Sequence, residues 1–575
     1  MSDAGRSHGN SDKVDDLLAH HGAGGGYEAV LANAALGRLE GLFPPEELRQ
    51  LGQSLLRHPA AVARRAVDLA ARLAHIAIGT DTQPGTLERR FADRAWADNP
   101  ALRRLALSYL ASSQALAGLL DDAELDRRAR DRLQVTVENV LAAAAPTNNP
   151  LTNPAAWKEA IDTGGRSVVD GLRQLTADLQ SPARLPAGVD KTAFRVGDNI
   201  AATPGKVVRK TRLYELIQYQ PTAGQVDVTP SLMIASPVNK FYLLDLEPEQ
   251  SVVRAQVAAG RNLFVASWVN PDQSHADVGV DEYVGAVVEM LETVAQISGT
   301  PSSHLLGLCG GGLIVFLAAA YLAAAGRQDL LASLTVGIAV LDYDRGPQMM
   351  AFLDRKAVDT AMRKATQRGY FDARDSLWAF ALIRPDEGIW SIAVHNYLLG
   401  RPLPRIGLLY WAIDQTNLAT KYGGQVMELA LDNSLTRTGA ATILGAPVDT
   451  RQITVDTYIL AASADHISPW HDCYRTINMV GGATTFVLAK GGHAIVIARP
   501  PGAPPCQLPD QRHPRRRSGA VARRLRRQQG QLVGALERLD RETRPRQATA
   551  PRHLGSDAHP VIGDAPGEYV RRRLT

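Results

Sequence analysis

Gly307-Leu308-Cys309-Gly310-Gly311 sets a cysteine in a G-x-C-x-G box, between a short apolar run and a long alanine-rich one that ends at Gly326. Glycines on both sides let a backbone bend tightly between a strand and a helix while the reactive atom is held out of the turn. A thiolate attacks a carbonyl readily, and the thioester it forms stays reactive enough to hand its acyl group onward. Sulfur at the bend therefore points to acyl-thioester chemistry rather than to ordinary ester hydrolysis. The box alone would equally describe a tight strand-to-helix packing site around a buried cysteine. Two later residues move the balance: Asp465, after Tyr458-Ile459-Leu460-Ala461-Ala462-Ser463-Ala464, and His493, after Phe486-Val487-Leu488-Ala489-Lys490-Gly491-Gly492. His466, beside the acid, reads as the end of a turn.

Each of the two follows an apolar strand-like run, and the order nucleophile, acid, histidine is that of an α/β-hydrolase. Tetrahedral intermediates on that fold need N–H donors for the oxyanion. One is the backbone N–H after the nucleophile, here Gly310, and the other comes from the loop after an early strand. Val238 is the candidate, because it follows Pro237, which has no N–H, in the loop beyond Ala235.

The elements that must position these residues follow from the pattern. Beyond Pro204-Gly205 strands alternate with helices, as in a mostly parallel sheet covered on both faces. Strands are predicted at 231–235, 262–267, 304–308, 334–341, 457–462 and 484–488. The rhythm fails between Asp342 and about Leu444, where an aromatic, helical stretch suits a cap over the site. Residues 27–200 read as a helical N-terminal domain, in which Asn153 caps a helix opening with Pro154. Residues 1–26 have the composition of a disordered tail, 201–498 form the catalytic domain with its cap at about 342–444, and 499–575 form an Arg-rich segment.

At 575 residues with 45% hydrophobic and 21% charged side chains, the chain can bury a large core. The net charge of +4 is small, and the excess arginine sits mostly after residue 498, in runs such as Arg515-Arg516-Arg517 that no aromatic residue interleaves. A solvated tail, not nucleic-acid binding, is the expectation. The three cysteines, at 309, 473 and 506, have no paired spacing, which fits a reducing compartment without a disulfide framework. The N-terminus carries no signal pattern, so a cytoplasmic protein is expected. The uncharged stretch from Leu305 to Gly326 could span a bilayer by length, but its consecutive glycines and strand-forming start favour a core strand and a buried helix.

Further residues carry a resemblance. They include Phe91-Ala92-Asp93 with Trp96, Ala202-Thr203-Pro204-Gly205-Lys206, and Asn239-Lys240-Phe241-Tyr242-Leu243-Leu244-Asp245. Asn396-Tyr397-Leu398-Leu399-Gly400, Tyr410-Trp411 and Asp465-His466-Ile467 extend it. From about Phe91 to His493 the chain resembles the polyhydroxyalkanoate synthases, acyltransferases that polymerise (R)-3-hydroxyacyl-coenzyme A into storage polyester. The resemblance implies Cys309 as the acyl-bearing nucleophile, His493 as general base and Asp465 as third member, either orienting His493 or assisting the attacking hydroxyl. It also implies no metal or redox cofactor, with the coenzyme A thioester as substrate. The implied partners are the growing chain, a granule surface in the cytoplasm and a second copy in a homodimer.

Two other readings share these residues: a cysteine thioesterase or depolymerase on the same fold, and a noncatalytic granule-surface protein. Asp414 and Asn417 resemble a family motif from which Ala412 departs, and structural hydrogen bonding is expected of Asp414. After His493 the resemblance breaks and returns at Leu554-Gly555-Ser556 and Gly563-Asp564-Ala565-Pro566-Gly567. A reading-frame shift across part of residues 494–550 accounts for the break, since Gly530 to Leu536 can be encoded by bases that read Gly-Ser-Trp-Trp-Ala-His-Trp in a neighbouring frame. An alternate frame of the coding DNA that lacks those tryptophans would remove this explanation.

Overall fold

The computed structural model describes residues 42–81, 88–344, 346, 348–498 and 546–573. The expected N-terminal tail, the basic runs of the Arg-rich segment, Cys506 and most of the frame-shift stretch lie outside the described residues. The chain divides into two compact units, one of Ala35–Asp190 with Leu377–Pro404, the other of Lys191–Ser376 with Arg405–Thr575 and the first residues of the chain.

The first unit is helical. Its long members are α1 (Pro45–Arg57), α2 (Pro59–Ile78), α3 (Pro100–Asp122), α4 (Arg127–Ala143) and α5 (Arg166–Gln180). Their starts are written in the sequence. Asn99 accepts from the N–H groups of Ala101 and Leu102 ahead of α3, Asp126 caps α4, and Asn153 accepts from Ala155 and Ala156 at the helix that Pro154 opens. Leu377–Pro404 is tied into this unit by buried polar bonds: Asn139 Nδ2 donates to Leu382 O at 2.8 Å and Asn396 Nδ2 to Ala187 O at 2.8 Å.

The second unit is built on a nine-stranded sheet. Its strands are β1 (Gly205–Lys210), β2 (Tyr214–Tyr219), β3 (Ser231–Ile234), β4 (Leu263–Trp268), β5 (Ser303–Leu308), β6 (Leu331–Gly337), β7 (Thr457–Ala462), β8 (Thr484–Ala489) and β9 (Gly563–Asp564). In space they run β8-β7-β6-β5-β3-β4-β2-β1-β9. The six from β3 to β8 are parallel, and β1, β2 and β9 join antiparallel at one edge.

The sequence reading named the six parallel strands, within three or four residues at their ends, because these are the near-continuous apolar runs that burial on both faces demands. The antiparallel edge was missed. Strand β2 is buried along its whole length yet carries Glu215 and Gln218, which interrupt the apolar signal. Glu215 Oε2 accepts the backbone N–H groups of Glu568 and Tyr569, both at 2.9 Å, so the charge anchors the returning C-terminal segment. Strand β9 is two residues long, too short for any period. Strand β6 ends sooner than expected because Ile338 turns to a φ of 44°.

Helix α6 (Val280–Ser298) and helix α7 (Gly310–Ala324) pack beside the sheet, and the side chains of α7 from Gly310 to Ala320 are all buried. Among the described residues no helix is long and apolar enough to cross a membrane.

Candidate active site

Strand β5 runs into the turn at Cys309, and α7 begins one residue later. Cys309 has φ 55° and ψ −126°, a conformation that costs a non-glycine residue about 1–3 kcal/mol. Its neighbours hold it there: Cys309 N–H donates to Gly337 O at 2.9 Å, and Gly312 N–H to Cys309 O at 2.8 Å. Two glycines make the bend possible. A Cβ on Gly307 would strike Gly311 O, and a Cβ on Gly311 would strike Ile234 O. Gly310 opens α7, so its N–H has no intrahelical partner and belongs to the positive end of the helix.

His493 stands on the loop beyond β8 and opens α8 (His493–Ala498), and Asp465 follows β7. The parallel neighbours β7 and β8 bring the two together: His493 Nδ1 lies 2.7 Å from Asp465 Oδ2, with both side chains buried. The other carboxylate oxygen, Oδ1, accepts the N–H groups of Ile467 at 2.9 Å and Ser468 at 2.8 Å. Asp465 is thereby fixed in rotamer, and it fixes the ring in turn. Cys309 and His493 line one small cavity, together with Ser236, Asn239, Lys240 and Trp411. Burial of the ring works against an imidazolium, but the charge of Asp465 and its hydrogen bond to the ring outweigh it, so His493 is held well above the ordinary histidine value.

The loop after β3 forms the facing wall. Val238 N–H donates to Ser236 Oγ at 3.3 Å, a long bond, and Val238 O accepts from Thr416 N–H at 3.1 Å. Asp414 accepts from Lys240 Nζ and Tyr242 OH, each at 2.8 Å, and Trp411 Nε1 donates to Lys240 O at 2.7 Å. Asn417 receives Ala373 N–H and donates to Pro271 O. The sequence reading missed that Asn239 and Lys240 face the cavity. Their signal was present only as a polar pair in an otherwise apolar, aromatic segment.

Strand order, elbow and the acid–histidine pair define an α/β-hydrolase catalytic unit, and residues 247–500 match the family model described as alpha/beta hydrolase fold. Residues 87–256 match a second model, described as Poly-beta-hydroxybutyrate polymerase (PhaC) N-terminus. Among curated relatives, poly(3-hydroxyalkanoate) polymerase 2 of Ectopseudomonas oleovorans is 35% identical over 94% of this chain and 96% of its own length. Polymerase 1 of the same organism is 33% identical over 91% and 94%. The poly(3-hydroxyalkanoate) polymerase subunit PhaC of Cupriavidus necator is 34% identical over 83% and 80%. The chain belongs to the poly(3-hydroxyalkanoate) polymerase family.

Proposed function

We propose that this chain polymerises (R)-3-hydroxyacyl units delivered as coenzyme A thioesters, carrying the growing polyester on Cys309. The observation that carries the reading is the shared cavity of Cys309 and His493, with Asp465 bonded behind the ring. His493 Nε2 takes the thiol proton as sulfur attacks the thioester carbonyl. The oxyanion collects at Gly310 N–H and at Val238 N–H, which exchanges its long bond to Ser236 for the new acceptor. The carbon–sulfur bond to coenzyme A then breaks, and the departing thiolate takes the proton back from the imidazolium.

In the second half-reaction His493 deprotonates a 3-hydroxyl, whose oxygen attacks the acyl-enzyme; the ester forms as the carbon–sulfur bond to Cys309 breaks, and the imidazolium returns its proton to the Cys309 thiolate. Asp465 acts by orienting the ring, because both its oxygens are engaged by His493 and by backbone N–H groups. The chemistry draws on thiol, imidazole and carboxylate and calls for no metal or redox cofactor. Apolar side chains exposed on the helical unit, among them Trp157, Ile161, Leu172 and Leu179, support adhesion to a polyester granule in the cytoplasm. A homodimer is the proposed working form.

Incubation with 3-hydroxybutyryl-coenzyme A tests the reading. Coenzyme A release accompanied by insoluble polyester is expected. Release with only free hydroxy acid would make the protein a thioesterase, and no release would make it noncatalytic.

A further inference from the structure

Among the described residues of the cavity wall, Asn239 is the one whose whole polar group is unspent. Its side chain is buried, with 4% of the residue exposed, and neither Oδ1 nor Nδ2 has a hydrogen-bond partner. A buried donor and a buried acceptor left unmade carry a desolvation cost that no bond offsets. Such a cost persists in a rigid wall when something outside the free protein meets it. The wall is rigid here. Thr416 donates to Pro237 O at 2.6 Å and to Val238 O at 3.1 Å, Trp268 Nε1 to Ala235 O at 2.9 Å, and Trp411 Nε1 to Lys240 O at 2.7 Å. The backbone of Asn239 itself bridges to Gln415. Asn239 therefore lines the same cavity as Cys309 and His493 from a loop pinned on both sides by these bonds.

Resting on the polymerase reading above, we infer that Asn239 recognises the oxygen on carbon 3 of the acyl group and so selects 3-hydroxyacyl thioesters over unsubstituted ones. A carboxamide offers a donor and an acceptor side by side, and a hydroxyl is the group that can meet both, accepting from Nδ2 while donating to Oδ1. The acyl carbonyl does not compete for it, since the oxyanion has the backbone donors. Once that oxygen has become an ester oxygen it can still accept from Nδ2, so the growing chain keeps half of the interaction. A thioester without the oxygen leaves both atoms of Asn239 buried and unpaired, and the site rejects it for that reason.

The test compares 3-hydroxybutyryl- with butyryl-coenzyme A in single-turnover coenzyme A release, read by chromatography after acid quench. The wild-type protein should acylate faster with the hydroxylated substrate, on the order of 10²-fold. Asn239→Leu, close in shape but without hydrogen bonds, should lose that factor, so that the two substrates acylate at similar rates and the preference collapses. Asn239→Ala should behave alike and covers the case in which leucine is not accommodated. An unchanged rate of Cys309 alkylation by iodoacetamide checks that the site is intact in each variant. The inference is overturned if the variants slow both substrates equally, if the preference survives them, or if the wild-type protein has none. If the wild-type protein releases coenzyme A from neither substrate, the polymerase reading itself falls and takes this inference with it.

Discussion

Asp465 and Asp414 both stand behind the cavity, and each engages a side chain that lines it. Asp465 bonds to His493 Nδ1 at 2.7 Å, and Asp414 bonds to Lys240 Nζ at 2.8 Å and to Tyr242 OH at 2.8 Å. In both pairs burial works against the cation and the carboxylate works for it. For His493 the charges win and the ring is held well above its ordinary value, whereas for Lys240 burial wins and the ammonium is held below its own. The difference that decides function is what remains after the bond is made. An imidazole bonded at Nδ1 still has Nε2 to present to a thiol. An ammonium bonded to a carboxylate, on a residue whose carbonyl is also taken by Trp411, holds a loop in place. On the proposed reading, a buried charge pair beside this cavity serves catalysis only when one member keeps an atom facing the reactants.

The comparison can be broken by substitution. The largest effect belongs to the proposed nucleophile: Cys309→Ala should reduce coenzyme A release by roughly 10⁶-fold. Asp465→Asn should lower turnover by about 10³–10⁴-fold, and at alkaline pH its melting temperature should match the wild-type value, since the bond it removes sets the ring's tautomer. Asp414→Asn should do the reverse. It leaves Lys240 buried without its counter-charge, at about 3–5 kcal/mol, so the melting temperature should fall while the folded protein keeps most of its turnover. Loss of turnover at an unchanged melting temperature would make Asp414 a second catalytic station. Tyr242→Phe is the smallest step, about 1–2 kcal/mol of stability from one bond to a carboxylate.

A pH series sharpens the same contrast. The folded value of His493 is raised above its unfolded value of 6.5, so the folded protein holds this proton where the unfolded chain releases it. The stabilisation that Asp465 gives His493 is therefore fully present below pH 6.5 and fades as pH rises through the raised folded value. Thermal melts of the wild-type protein and of Asp465→Asn should differ most at mildly acidic pH and converge on the alkaline side. A difference that grows with pH would contradict the assigned protonation.

The site was more legible than the sheet's edge, for a physical reason. Gly307 and Gly311 must be glycines for the turn at Cys309 to close, and Asp465 and His493 each follow an apolar strand, so the trio is written locally. Strands β1, β2 and β9 are fixed by partners far along the chain, as Glu215 is by Glu568 and Tyr569, and local pattern carries no record of that. The same holds for the wall opposite the cysteine. Asp414 was read as a structural hydrogen-bonder, but its partners Lys240 and Tyr242 lie more than 170 positions earlier. Asn239 gives no local sign that its carboxamide would be buried and unpaired.

The most direct test of the central claim is mass spectrometry of peptides from protein quenched in acid during turnover of 3-hydroxybutyryl-coenzyme A. The account predicts a hydroxybutyryl adduct on the peptide containing Cys309, removed by neutral hydroxylamine and absent from Cys309→Ala. Polyester formation with Cys309 unmodified, or with the adduct on another side chain, would contradict it.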